Sequence, residues 1–186
     1  MTYLSKGLLL RRSGEMLTIS HCGAEYDLTG ERASVWEKGR CGCVETIGIS
    51  QHEAMYELAK LGLAEMSQAT GDGAFFRLLI NCVICPDKGG PATILWNPNE
   101  RRLWQWITRA GLRLTIAELV FLMQHDIKPT AELLGEANRQ SLTEAIYTTE
   151  TIPDGILESR MEQSRTRDST VRAVLNLLRK NRIFLI

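Results

Sequence analysis

The residues best suited to chemistry in this chain are its cysteines. They are Cys22, Cys41, Cys43, Cys82 and Cys85. Cys82 and Cys85 form a CxxC pair that leads into a glycine-rich turn, which is how zinc knuckles present two thiolates. Cys41 and Cys43 form a CxC pair that could supply two further ligands. Alternatively, Val83 and Ile84 belong to a core strand and the thiols are free and buried. We expect free thiols, and therefore no metal and no cofactor.

Other catalytic patterns are missing from the sequence. The three histidines, His21, His52 and His125, lie in no spacing that is typical of metal ligands. The chain has no GxxxxGK[ST] phosphate loop, no GxSxG elbow and no GxGxxG motif. The sequence therefore predicts a protein that is not an enzyme.

The composition is that of an ordinary soluble protein. Of the 186 residues, 44% are hydrophobic and 24% are charged, which suits one domain or two small ones. Three leucines near the N-terminus are followed by two arginines rather than by a cleavage site, and no apolar run is long enough to cross a bilayer. We predict a cytoplasmic protein with reduced thiols and no membrane partner.

Charge is balanced overall but not locally. The 22 basic residues equal the 22 acidic ones, whereas a nonspecific nucleic-acid binder usually has a basic excess. From Arg160 to Ile186, however, seven basic residues stand against two acidic ones, a surplus of 7 − 2 = 5. This surplus is either a surface for a polyanion or a solvated helix face.

The C-terminal stretch predicts a helix-turn-helix. Pro153–Gly155 opens a first helix, and the polar linker Ser164–Asp168 leads into a second. Apolar residues then recur at i, i+3, i+4 and i+7, and a strand at Ile183–Ile186 closes the chain. A helix in the major groove needs short polar residues for the bases and basic residues for the phosphates. The candidate DNA-binding residues are Arg165, Arg167, Ser169, Thr170, Arg172, Asn176, Arg179 and Lys180.

A competing helix-turn-helix lies upstream, over Thr115 to Tyr147. Thr115 and Glu118 form a capping box at the start of its first helix. Its second helix is predicted to expose Arg139, Gln140 and Ser141. Gly135 interrupts this stretch, and it has no basic surplus, so the C-terminal one is preferred.

The N-terminal half has the element order of a winged helix. The predicted elements are strands at Leu8–Arg12, Leu17–Ser20 and Ala24–Leu28, a helix opened by Thr29, a second helix capped by Ser50, and strands at Leu63–Gln68 and Ala74–Ile84. The two last strands would form a hairpin with Gly71–Gly73 as its wing tip.

Two segments of this half, Tyr26–Trp36 and Leu58–Glu65, resemble the PqqD-like winged-helix proteins. The resemblance covers about forty residues and consists of a strand leucine, a helical Val-Trp pair and a Leu-Gly-Leu exit. Cys41–Ile49 departs from the family, where an acidic-glycine turn and a second helix start are expected. The resemblance implies capture of a peptide along a sheet edge.

The proline- and glycine-rich segment Pro86–Pro91 is the predicted boundary between two units, 1–86 and 91–186. We expect an α+β fold of two winged-helix-like units, helix-rich with short antiparallel hairpins. The function expected first is DNA binding by a transcriptional regulator, with the C-terminal helix in the groove and the Gly71–Gly73 hairpin on the backbone. The alternative is a non-catalytic adaptor that binds a peptide or a partner protein. A homodimer is compatible with both.

Overall fold

The computed structural model describes residues 1–68, 72–87, 97–110, 114–148 and 156–186, and within them the chain has an α+β fold. The helices are α1 Gly30–Arg40, α2 Ile49–Lys60, α3 Asp72–Ile80, α4 Pro98–Ala110, α5 Ile116–Gln124, α6 Glu136–Thr148 and α7 Ile156–Arg179. The strands are β1 Thr2–Ser5, β2 Leu8–Ser13, β3 Met16–His21, β4 Ala24–Leu28, β5 Val44–Glu45, β6 Ala64–Ser67, β7 Val83–Pro86, β8 Leu114–Thr115 and β9 Ile183–Leu185. They form three antiparallel three-stranded sheets, so the predicted α+β class is confirmed.

The first core lies between helices α1 and α2 and two of these sheets. The predicted strands of the N-terminal meander are confirmed as β2, β3 and β4, which pair in sequence order. A second sheet, in the order β5-β1-β6, lies against α1 and α2. Trp36 and Met55 are fully buried between these elements.

Strand β1 is held close against α1. Tyr3 is buried and its hydroxyl donates a hydrogen bond of 2.9 Å to the carbonyl of Val35. Burial, together with the nearby Glu31, raises the pKa of Tyr3 to about 12, so the phenol stays protonated. Gly39 permits the approach, because a Cβ at this position would lie 2.5 Å from Cε2 of Tyr3.

The second core is built on the sheet β8-β7-β9 and on helices α3 to α7. The predicted terminal strand is confirmed as β9, and its partner is β7 from earlier in the same chain. Val83 and Ile186 exchange backbone hydrogen bonds of 2.8 and 3.0 Å beside it. The amide of Gly7 also donates to the carbonyl of Leu185 at 2.6 Å, which joins β9 to the N-terminal half.

The predicted C-terminal helix-turn-helix is wrong, because α7 runs without interruption from Ile156 to Arg179. The linker Ser164–Asp168 is polar but contains neither glycine nor proline, and two of its residues are arginines, which favour helix. Its helical geometry is visible in the hydroxyl of Thr170, which donates to the carbonyl of Thr166 one turn earlier. The predicted start at Pro153–Gly155 lies outside the described residues.

The predicted wing is wrong as well. Asp72–Ile80 forms helix α3 rather than the second strand of a hairpin, and Gly73 lies inside it, while Gly71 lies outside the described residues. An apolar run of this length is compatible with either element, and burial of Leu78 and Leu79 against α7 favours the helix. Helix α2 also begins at Ile49 with Gly48 as N-cap, so the cap predicted at Ser50 does not form.

The boundary predicted at residues 86–91 stays a prediction, and residues 88–91 lie outside the described part of the chain. Strand β7, on its N-terminal side, belongs to the sheet that carries β8 and β9. Helix α3 likewise packs against α5 and α7. The second core therefore draws on elements from both sides of this segment. No helix in the described ranges is both long and apolar enough to cross a membrane.

Substitution Leu185→Ala tests the dependence of the second core on β9. Leu185 is 1% exposed, so truncation leaves a cavity and should lower the free energy of unfolding by about 2–5 kcal/mol. Leu10→Ala, at a side chain that is 48% exposed, is the control and should cost less than about 1 kcal/mol. Urea denaturation of both variants measures the difference. Equal losses would show that β9 contributes no more than a surface strand.

Candidate functional site

Three of the predicted DNA-binding residues form one exposed stripe on α7. Arg165, Arg172 and Arg179 are exposed and follow one another at intervals of seven residues. Seven residues are close to two helical turns, so these side chains lie on one face, about 10 Å apart along the axis. The uninterrupted helix thus places three guanidinium groups in a row.

The short polar residues predicted to reach base edges are occupied within the helix. Thr170 is 1% exposed, and its hydroxyl donates to the carbonyl of Thr166 at 2.8 Å. The hydroxyl of Ser169 donates to the same carbonyl at 2.9 Å. Thr170 therefore cannot reach a DNA base without a change of the helix packing.

Two further predicted residues hold α7 to the first turn of α4. Glu100 is 3% exposed. Its carboxylate accepts a hydrogen bond of 2.9 Å from Asn176 and forms an ion pair with Lys180. A carboxylate at this depth needs such partners, because burial of an unpaired charge is costly. The three residues, Glu100, Asn176 and Lys180, are called the α4–α7 clamp below. Asn176 and Lys180 thus act in packing.

The remaining predicted residue, Arg167, faces α3. Its guanidinium forms an ion pair of 2.9 Å with Asp168 and lies 5.8 Å from the ring centroid of Phe76. A shallow groove of about 240 Å³ follows, bounded by α7 and Phe75 of α3. It is lined by Asp168, Arg172, Asn176 and Arg179. The structure therefore brings part of the predicted set together, but around a groove between helices.

In the competing helix-turn-helix, too, a predicted surface residue pairs with a buried carboxylate. Its capping box is confirmed, with Thr115 and Glu118 bonded reciprocally. Arg139 of α6 is half-buried and binds both carboxylate oxygens of Glu118, at 2.7 and 3.0 Å. Gln140 and Ser141 are exposed as expected. Arg139, in contrast, joins α5 to α6.

The thiols are poorly suited to bind a metal. Cys82 and Cys85 are buried, Cys43 is half-buried and Cys41 is exposed. Burial raises the pKa of Cys43 and that of Cys82 to about 12, so neither is a thiolate at neutral pH. The described residues contain no group of three or more metal-ligating side chains. That no metal binds stays a prediction.

The edge of the meander sheet is a further surface, and it contains none of the candidate DNA-binding residues. Strands β2 and β4 are its two outer strands, with β3 between them. Strand β2 has a register irregularity between Leu9 and Arg11, whereas β4 pairs regularly with β3 over all five residues. Glu25 and Asp27 of β4 are exposed and Tyr26 is half-buried. The alternation in the sequence predicts the strand, but which strands lie at the edge depends on tertiary structure.

No protein-family model, no curated protein and no solved structure matches this chain. The geometry of the described residues is therefore the basis for the function proposed below.

Substitution Lys180→Met tests the α4–α7 clamp. Among the described side chains it leaves the buried Glu100 carboxylate with Asn176 as its one partner, and we expect the free energy of unfolding to fall by about 1–3 kcal/mol. Adding Glu100→Gln should recover part of this loss, since the neutral amide needs no cation. Lys38→Met, at an exposed lysine of α1, is the matched control. A loss no larger than that of the control would mean that Lys180 is only a surface charge.

Proposed function

We propose that this protein is a non-catalytic adaptor that binds an extended, basic peptide along strand β4. The observation that carries the proposal is the regular outer edge of β4, which pairs with no strand in the described part of the chain. Alternate residues of such a strand direct their N–H and C=O groups away from the sheet, where an added strand can bond to them.

The two edges of the meander differ in how well they resist an added strand. Natural proteins protect exposed edges by bulges and by inward or edge-facing charges. Strand β2 has both, with its irregularity at Leu9–Arg11 and the ion pair between Arg12 and Glu37 of α1. Strand β4 has no bulge, no proline and no basic residue, and its two charges, Glu25 and Asp27, are both acidic. Strand β4 is therefore the more open edge for an added strand that carries basic residues.

The side chains of β4 indicate the chemistry of the peptide. Glu25 and Asp27 are exposed, Asp27 also accepts a hydrogen bond of 2.7 Å from the Thr18 hydroxyl of β3, and Glu31 follows in the first turn of α1. Lysine or arginine at alternate positions of an added strand would face these carboxylates across the sheet. On the other face, Tyr26 packs at the margin of the first core and offers a partly apolar neighbour. A peptide of alternating basic and apolar residues fits both faces.

The experiment measures fluorescence anisotropy of a labelled nine-residue peptide of alternating lysine and valine. We expect saturable binding, and none for the matched peptide of glutamate and valine. A lysine–valine peptide with N-methylated amides on alternate residues should also fail, because it cannot form the backbone bonds of an added strand. Binding that survives N-methylation would overturn strand addition.

The variant Glu25→Lys tests the location. We expect affinity to fall about fivefold, since reversal of one exposed charge changes a pair worth up to about 1 kcal/mol. The control is Glu15→Lys in the turn between β2 and β3, an exposed carboxylate at the far end of the hairpin. Equal effects of the two variants would indicate nonspecific attraction. Hydrogen exchange of the β4 amides, slowed by the peptide, gives an independent measurement.

DNA binding is the second candidate, and the stripe of Arg165, Arg172 and Arg179 favours it. Three cations in a row on one helix can contact phosphates without any base-reading residue. This form of the proposal needs neither a recognition turn nor a wing.

Substitution of the three stripe arginines by alanine tests this candidate with a labelled DNA duplex of about 20 base pairs. The slope of log affinity against log salt should fall by roughly 2–3, because each phosphate contact contributes about 0.9. The matched control removes three exposed cations from the N-terminal half, Arg11, Lys38 and Lys60. No binding at low salt, or the same fall in slope for the control, would contradict the proposal.

A further inference from the structure

A cationic cleft of about 610 Å³ opens between α4 and the segment that follows α5. Arg102, Gln105, Trp106 and Arg109 line one side at helical spacing, and therefore form one face of α4. The other side consists of residues 126 and 128–131. This volume lies within the range of sites for small molecules.

The segment opposite α4 is held in place at both ends. Asp126 adopts a left-handed conformation with φ of 52°, and the amide of Ile127 bonds to the carbonyl of Leu122 at 2.9 Å, which together end α5 in a Schellman motif. The hydroxyl of Thr130 accepts from the amide of Leu133 at 3.1 Å and fixes the following turn. The wall of the cleft is thus preorganised rather than a free loop.

The charges around the cleft do not cancel. Arg102 lies 4.6 Å above the Trp106 ring centroid and forms an ion pair with Asp126, so these two charges neutralise each other. Arg109 and Lys128, both exposed, have no carboxylate partner among the described residues. Two cations from separate elements therefore face one cleft, where their repulsion favours an anion.

We propose that this cleft binds a small organic phosphate, with Arg109 and Lys128 on the phosphate group. A phosphate monoester carries close to two negative charges at neutral pH, which matches the two uncompensated cations. Pro129, which is buried, and the edge of Trp106 give the floor an apolar part for the organic group. The site lies on the second core and is separate from the peptide edge at β4, so it does not depend on the function proposed above.

The site differs from the arginine stripe of α7 in the ligand that it fits. The stripe is an open row on a helix, suited to a polymer with repeated charges. The cleft is concave and has one pair of uncompensated cations, which suits a single dianionic group.

Isothermal titration calorimetry with three probes tests the proposal on the full chain. The probes are glycerol 3-phosphate, adenosine 5′-monophosphate and inorganic phosphate, each compared with glycerol, adenosine or sodium chloride. We expect binding of at least one organic phosphate, and none of its uncharged parent. Inorganic phosphate as tight as both esters would identify the free ion as the ligand of the same cation pair. Absence of binding by all three probes, or tighter binding of succinate, would overturn the assignment.

Variants locate the site. Arg109→Ala and Lys128→Ala should each weaken binding about tenfold, the effect of losing one charge-assisted contact, and the double variant should abolish it. Each variant should unfold at the thermal midpoint of the unsubstituted protein when no ligand is present, because the substitutions relieve repulsion and break no ion pair in the described residues. Arg11→Ala, an exposed arginine of β2, is the control. Unchanged affinity in the double variant would place any observed binding elsewhere.

Discussion

The second core depends on the packing of a buried apolar stripe, formed by four residues on one face of α7. Val171, Val174, Leu175 and Leu178 are all at most 6% exposed, and the helix that carries them packs against α3, α4, α5 and β9. Burial of four such side chains stabilises the fold by roughly 6–12 kcal/mol before the entropy of folding is counted. A turn inside this helix would break the stripe into two shorter segments with different directions. The packing therefore requires the helix to be continuous. The polar linker Ser164–Asp168 can be helical because it contains neither glycine nor proline.

The same packing determines which charges are available for binding. Some polar residues of α7 contact a neighbouring helix, where they pair with a buried carboxylate. A second buried carboxylate pairs in the same way with an arginine of α6. Glu100 holds Asn176 and Lys180, and Glu118 holds Arg139 on α6. Arg165, Arg172 and Arg179 are exposed instead. Residue type alone does not separate Asn176 and Lys180 from the three arginines, since all five lie on the polar side of the same C-terminal amphipathic pattern.

Elements fixed by local chemistry could be predicted from the sequence, and elements fixed by distant contacts could not. The capping box at Thr115 and Glu118, the hairpin of β2 and β3, and the terminal strand β9 follow from neighbouring residues. Segment 74–84 carries an apolar run that suits strand or helix, and its contacts with α7, far along the chain, decide in favour of α3. Among the candidate site residues, the exposure of the arginine stripe and the burial of Thr170 likewise depend on tertiary packing. The edge position of β4 and the cleft beside Trp106 arise only when separate elements meet.

The zero net charge of the chain conceals surfaces of opposite sign. The β4 edge presents Glu25 and Asp27, whereas the stripe on α7 and the cleft at Arg109 and Lys128 are cationic. At physiological salt, fields between exposed charges decay over about 8 Å, so each surface attracts ligands largely by its own charge rather than by the sum over the molecule. Neutral composition therefore argues against a protein coated in positive charge, but it does not argue against a local anion site. The proposed peptide edge and the proposed anion cleft therefore belong to different cores and would attract ligands of opposite charge.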